Sequence, residues 1–463
     1  MALRLQNLDS ENPARSSHSL LSNLQWVVLK VRLLVVKMRD KVVLAEAGKD
    51  FVDVLFSLLT LPMGTIVRLL EKHKQNQMSQ GIVIGCFNNL YKSVLEMDIN
   101  NFTIPACKQM LLQPRSLTEK KCRRLKLNID DTDVLKYYMC PKAGEKLRCS
   151  KAYSNFRSSR CSCGELMRTE CILAQGLEDD HDEIFSSGSF IISDNMKVRF
   201  NSIGITMRTL KGLGYADVDK LHEMVVNVST EETSLTDVFL RKQNSCVMTR
   251  TPNMPSLIAQ GKPVGTSESN DVLSVTLYVR KQSKKVLYAE SNEDFVDLLF
   301  TFLIVPLEYV WELSGSRIML GCIENLCMLP WYYGCQRPLL DVCYPKCSKQ
   351  LKLRKGSQCY LLRAMDPKSD CIADPNVPHC SGFVKRGSTF LISNDLTITA
   401  SNSSSTISLL KKLNTDLDEI EEQVISITEG EAISLLKVSL VTSTPLTTAL
   451  RSLLLKKPKV ERV

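Results

Sequence analysis

Only five histidines are spread through 463 residues, so general-base chemistry in this chain would fall to Asp and Glu. Conventional enzyme signatures are missing as well: there is no phosphate-binding loop and no nucleophile elbow. His222-Glu223 starts like the helix of a zinc protease, but Val226 stands where the second histidine is required. Gly212-Leu213-Gly214 lacks a third glycine and follows a helical pattern, which makes it a helix stop and not a dinucleotide loop. No run of eighteen or more apolar residues occurs, and the opening MALRLQNLDSENPARSSHSL lacks the charged-then-apolar layout of an export signal. The expectation is a soluble intracellular protein of the cytoplasm or nucleus, not secreted and not held in a membrane. In that setting the seventeen cysteines read as thiols, some of them metal ligands.

What the chain does have is one unusual statement made twice. KVVLAEAGKDFVDVLFSLLTLP, Lys41 to Pro62, returns as KVLYAESNEDFVDLLFTFLIVP, Lys285 to Pro306, and the match runs without gaps from Lys37 and Lys281. Alternating apolar residues on both sides of Lys37-Met38-Arg39-Asp40 predict a β-hairpin. Gly48 allows a left-handed residue, and Asp50 is the candidate N-cap of a helix that buries Phe51, Val52, Leu55 and Phe56 until Pro62 ends it. Further echoes follow: GCFNNL from Gly85 with GCIENL from Gly321, and GSFIISDNM from Gly188 with GSTFLISNDL from Gly387. Capping boxes are read at Ser229 with Glu232 and at Thr428 with Glu431. The fold class expected is α+β, with two tandem repeats of antiparallel β-hairpins and capped amphipathic helices. A flexible tail covers residues 1–26 and the first repeat residues 27–250. A Pro-, Gly- and Ser-rich linker follows at 251–271, and the second repeat covers 272–463.

LLVVKMRDKVVLAEAGKDFVDVLFSLLTLPMGTIVRLL, Leu33 to Leu70, together with RCSCGELM, FIISDNM and SLTDVFL, resembles the plant family catalogued as domain of unknown function 674. The resemblance implies a plant, intracellular protein of duplicated architecture. It brings no activity, cofactor or catalytic residue. The second half departs from it: no counterpart of Cys161-Ser162-Cys163-Gly164 stands before GSTFLISNDL.

The candidate site is a basic Cys-rich insertion at residues 119–171. From Glu119 to Arg168 there are thirteen Lys and Arg against six Asp and Glu, a net +7 within a chain total of +9. Cys140, Cys149, Cys161 and Cys163 supply four soft ligands, and tetrahedral zinc accepts four thiolates. Reduced cysteines in a metal-free basic loop are the other reading. A looser set, Cys343, Cys347, Cys359, Cys371, His379 and Cys380, reads better as small buried hydrophobes. The insertion also mixes Tyr137, Tyr138, Tyr153 and Phe156 with Lys151, Arg157 and Arg160, the residue types that stack bases and contact phosphates. The functional expectation is a non-catalytic binding or scaffold protein that meets an unidentified protein partner through Lys151, Arg157, Arg160, Tyr153 and Phe156. One alternative is a single-stranded nucleic-acid binder. Another is a hydrolase or transferase using Glu46, Asp50 and Asp53 with their matches Glu290, Asp294 and Asp297.

Overall fold

The computed structural model describes residues 29–37, 41–77, 84–115, 135–143, 149, 151–174, 188–215, 217–228, 273–313, 325–326, 350–365, 382–413 and 416–455. The tail, the linker at 251–271, the Ser229 capping box, and Cys343, Cys347, Cys371, His379 and Cys380 lie outside them. The protein is α+β, with ten α-helices among the described residues. In chain order the strands are β1 (Leu29–Val36), β2 (Lys41–Gly48), β3 (Tyr137–Met139), β4 (Ala152–Ser154), β5 (Thr169–Leu173), β6 (Ser189–Ser193), β7 (Val198–Phe200) and β8 (Leu221–Val228). They continue as β9 (Leu273–Arg280), β10 (Val286–Ser291), β11 (Gln350–Lys355), β12 (Gln358–Ala364), β13 (Phe390–Ser393), β14 (Ile398–Ala400) and β15 (Ile420–Ile427).

Leu29, Val31, Leu33 and Val35 are buried while Lys30 and Arg32 are exposed, the period of two that gives a strand one wet face. β1 pairs antiparallel with β2, and the resulting sheet has the order β7-β6-β2-β1-β8. A second sheet has the order β14-β13-β10-β9-β15, which is the same arrangement of corresponding strands. Small features recur with it. Met196 and Leu396 both take positive φ, 63° and 61°, after Ser193 and Ser393. The Lys37 and Lys281 ammonium groups donate to the carbonyls of Asp219 and Asp418 at 2.7 and 2.6 Å.

Helices cover the inner face of each sheet. Lys49–Ser57 buries Phe51, Val52, Val54, Leu55 and Phe56. Its N-cap is Gly48, with extended backbone (φ −75°, ψ 173°), so the left-handed freedom of that glycine is not used; Asp50 sits inside the first turn, exposed, and is not the cap. Asp294 has the same place in Glu293–Ile304, behind the N-cap Asn292. The Thr428 and Glu431 box does form, with the Thr428 amide donating to the Glu431 carboxylate at 3.1 Å.

Glu293–Ile304 (EDFVDLLFTFLI) is apolar around most of its circumference, so one buried face is not enough for it. It packs on β9 and β10 and, on its other side, on helices Met63–Gln77 and Phe87–Glu96 from the first half. The halves are sewn together there. Prolines 62 and 306 lack an N–H, and the residues after them donate across the junction: Met63 to the Val305 carbonyl and Leu307 to the Leu61 carbonyl, both at 3.0 Å. Gly85 (φ +49°) lies so close to the Ser439 carbonyl that a Cβ would come within 2.0 Å of it, and the next amide, Cys86, donates to that oxygen at 2.7 Å. Phe56, Phe87, Phe102 and Phe190 therefore share one core with Phe295, Phe300 and Phe390. The two halves are, in this fold, two sheets closed over a common interior.

Candidate metal centre

The basic insertion is part of a third structure. β3, β4 and β5 close with β11 and β12 of the second half into a five-stranded barrel, ordered β11-β12-β4-β3-β5. The closing pairs are β12 with β4, parallel, and β11 with β5, antiparallel. Alternation along β3 sorts its side chains. Tyr137 and Met139 enter the barrel interior with Tyr153, Cys171, Leu353 and Leu362, while Tyr138 and Cys140 face the other way, toward Cys161 and Met167.

That second side is where the four cysteines meet. Cys140 leads a turn through Pro141 in which the Ala143 amide donates to the Cys140 carbonyl at 3.1 Å. Cys161 and Cys163 lie in a tight reversal between Arg160 and Leu166, which form a β-bridge. There the Gly164 amide donates to the Cys161 carbonyl (2.8 Å), and the Cys161 amide to the Glu165 carbonyl (2.7 Å). The reversal needs Gly164 at φ +87°. Cys149 completes the group just before β4. All four Sγ atoms fall within 4.8 Å of one another. Cys140 to Cys149 is 3.8 Å, Cys140 to Cys163 is 3.6 Å and Cys149 to Cys163 is 3.6 Å.

These separations carry chemical meaning. A disulfide would place sulfurs about 2.05 Å apart. A Zn–S bond of about 2.3 Å in a tetrahedron gives an S to S edge of about 3.8 Å. The three sulfurs of Cys140, Cys149 and Cys163 have the second spacing and the Cys161 sulfur lies within 4.8 Å of each, so the cluster can hold a metal ion. Burial pushes the Cys140 thiol well above the usual range and raises Cys149 as well, so the metal-free group prefers neutral thiols. Cationic neighbours would offset a four-thiolate charge: Lys355 donates to the Pro141 carbonyl at 3.1 Å, Arg160 donates to the Gly164 carbonyl at 2.9 Å, and Lys142 pairs with Glu165.

The other expected contact residues divide. Lys151, Arg157 and Arg160 are exposed, and the Arg157 guanidinium lies 5.8 Å from the Tyr138 ring centroid. Tyr153 is only 4 % exposed, inside the barrel, and Phe156 is half-buried against the common core. Tyr137 and Tyr138 are buried too. Apolar burial took the rings that base stacking would need, so these aromatics form no stacking platform. Cys359 is exposed on β12 and stands apart from the four-thiol group.

The acidic set does not converge either. Glu46 faces outward from β2, accepting from Ser189 Oγ (2.9 Å) and Asn201 Nδ2 (2.8 Å) and pairing with Arg32. Asp53 belongs to the helix on the opposite face of that sheet. Glu290 accepts from the Tyr278 hydroxyl at 3.3 Å, while Asp297 accepts from the amides of Phe383 and Val384 at 2.7 and 3.1 Å. That last contact is structural: it holds the segment that bonds to Thr103 of the first half, whose amide donates to the Phe383 carbonyl at 3.0 Å.

The fold and site thus define a class: an α+β protein of two like sheets over one core, with a small barrel that carries a four-thiol cluster. The family model described as "Protein of unknown function (DUF674)" matches residues 25–430, a span that includes both sheets and the barrel. The chain belongs to the DUF674 family. No curated protein and no solved structure matches it.

Proposed function

We propose that this protein is a non-catalytic binding or scaffold protein, built from two copies of a hairpin-and-helix unit, whose barrel is fastened by one structural zinc ion. Cys140, Cys149, Cys161 and Cys163 are the ligands. The observation that carries the reading is the match between the 3.6–3.8 Å separations among the Cys140, Cys149 and Cys163 sulfurs and the edge of a ZnS4 tetrahedron, with the Cys161 sulfur within 4.8 Å of all three. Four protein ligands close the coordination shell, and a closed shell is structural; a catalytic zinc keeps a position for water. The separation of Glu46 from Asp53 by the sheet favours the same non-catalytic reading over a hydrolase or transferase.

The partner is expected to be acidic and to meet Lys151, Arg157 and Arg160, which stay exposed on the barrel. Full-length protein purified without chelators should contain one zinc per chain. The Cys161→Ser/Cys163→Ser variant should contain none. Full metal occupancy in that variant, or none in the parent protein, would remove the zinc reading. For the surface, Lys151→Ala/Arg157→Ala/Arg160→Ala should weaken binding to polyglutamate and flatten its salt dependence. Unchanged binding would move the contact away from the barrel.

A further inference from the structure

The outer faces of the two sheets differ at one spot. On the first sheet a cavity of about 290 Å³ opens between the β6–β7 hairpin and helix Ile203–Gly212. Its floor includes Leu44, Ile191 and Ser193, all buried. Lys197, Arg199 and Arg208 stand around it. Arg208 Nε donates to the Gly204 carbonyl at 3.1 Å, and among the described residues none of the three cations is in an ion pair.

The matching place on the second sheet carries none of these three cations; its charged residues are Asp395 and Lys412, at the positions of Asn195 and Gly212. Leu34 and Leu44 are cross-strand partners in the first sheet, as Tyr278 and Tyr288 are in the second. The two tyrosine rings stack there at 4.4 Å between centroids. Arg199 pairs with Ile191, and Thr399 pairs with Leu391. The Lys197 carbonyl accepts from Ser193 as the Thr397 carbonyl accepts from Ser393. Counting on from these registers, Arg208 corresponds to Ser408. One scaffold therefore carries stacked tyrosines, hydroxyls and one charge of each sign on one side, and a hollow with three cations on the other. Solubility alone would need neither the hollow nor the convergence of charge on it.

We infer that this cavity is a binding site for a small phosphate-bearing ligand. Arg forks suit phosphate oxygens, and a polar-rimmed hollow with an apolar floor suits a compact organic remainder. The C-terminal end of helix Ile203–Gly212 also borders the cavity, and its carbonyls oppose an anion with about half a unit of charge. Three full positive charges outweigh it. The site is independent of the metal reading, since no cysteine lines it.

Isothermal titration of the full-length protein at fixed ionic strength tests the inference with two probes, inorganic phosphate and glycerol 3-phosphate. Saturable one-to-one binding of at least one probe is expected, with a dissociation constant below about 1 mM. Equal affinities would identify phosphate itself as the ligand, and tighter binding of glycerol 3-phosphate would identify an ester. Arg199→Gln/Arg208→Gln should weaken binding at least about tenfold, because two charge-assisted contacts are lost. Both side chains are exposed, so the fold should be unaffected. Leu44→Tyr, which restores the bulk found on the second sheet, should weaken it likewise; if that variant fails to fold, the arginine pair still decides. No saturable binding of either probe, or binding unchanged in the arginine variant, would overturn the inference.

Discussion

The common core and the barrel differ in how much they bury and in what lies beside them. The core gathers fully buried phenylalanines from both halves, Phe56, Phe87, Phe295 and Phe300 among them, beneath two five-stranded sheets. Among the described residues the barrel interior has six buried ones, and two of its strands, β3 and β4, are three residues long. An interior of that size supplies little apolar stabilisation; small cores elsewhere are fastened by disulfides or metals. The four-thiol cluster sits where such a fastening is needed, packed against β3 and reached by Met365 from the end of β12. The comparison teaches that one chain can close one region by burial alone and leave another with a small interior beside a cluster of four thiols that could hold a metal ion.

Removing the coordination should separate the two regions most sharply. Structural zinc contributes about 10–16 kcal/mol of apparent binding energy in small metal-dependent folds. Cys140→Ser is therefore expected to abolish hydrogen-exchange protection along β3, β4, β5, β11 and β12 while β1, β2, β9 and β10 remain protected. Equal loss everywhere would merge the two regions. The next effect belongs to the core: Phe300→Ala should cost about 3–5 kcal/mol and lower the melting of both sheets together. Two separate transitions, one per half, would show that the interior is not shared.

A smaller contrast lies between two carboxylates on the corresponding helices, one past the first turn and one within it. Asp297→Ala strips two backbone amides of their acceptor and is expected to cost about 1.5–3 kcal/mol. Asp50→Ala removes only an exposed first-turn charge, about 0.3–1 kcal/mol. Denaturant melts of the two variants give the order, and the reverse order would contradict the assignment. The smallest effect is at Glu421, whose carboxyl is held below its ordinary value by the Lys284 hydrogen bond and then by Gln423. A lowered folded pKa means the contribution is present at neutral pH and disappears as pH falls through that lowered value. Glu421→Gln should accordingly shift stability at pH 7 by less than about 1 kcal/mol and leave it unchanged in strong acid, as paired melts would show.

Much of each half was legible in the chain because local chemistry forces it. Alternation around residues 37–40 gives the β1–β2 hairpin, Pro62 and Pro306 end helices, and Gly214 at φ +82° follows the helix that ends at Gly212. The shared interior was not legible, since the all-round apolar surface of Glu293–Ile304 says that it is buried and not by what. The barrel escaped for a related reason. Strands of three residues show no alternation to read, and closure depends on β11 and β12, nearly two hundred residues away. The cysteine set was legible by residue type, although the gap from Cys140 to Cys149 is longer than a single metal-binding turn provides. The structure explains the gap: Cys140 leaves β3 and Cys149 approaches β4, so the two sulfurs come from opposite arms of one connection. Asp50 was misplaced as a cap by two residues, within the ordinary uncertainty of helix ends.

X-ray absorption at the zinc edge of the full-length protein, purified without chelators, tests the central claim most directly. Four sulfur neighbours at about 2.3 Å are expected, with no nitrogen or oxygen in the first shell. A protein free of zinc, or zinc held by fewer than four sulfurs, would contradict the account.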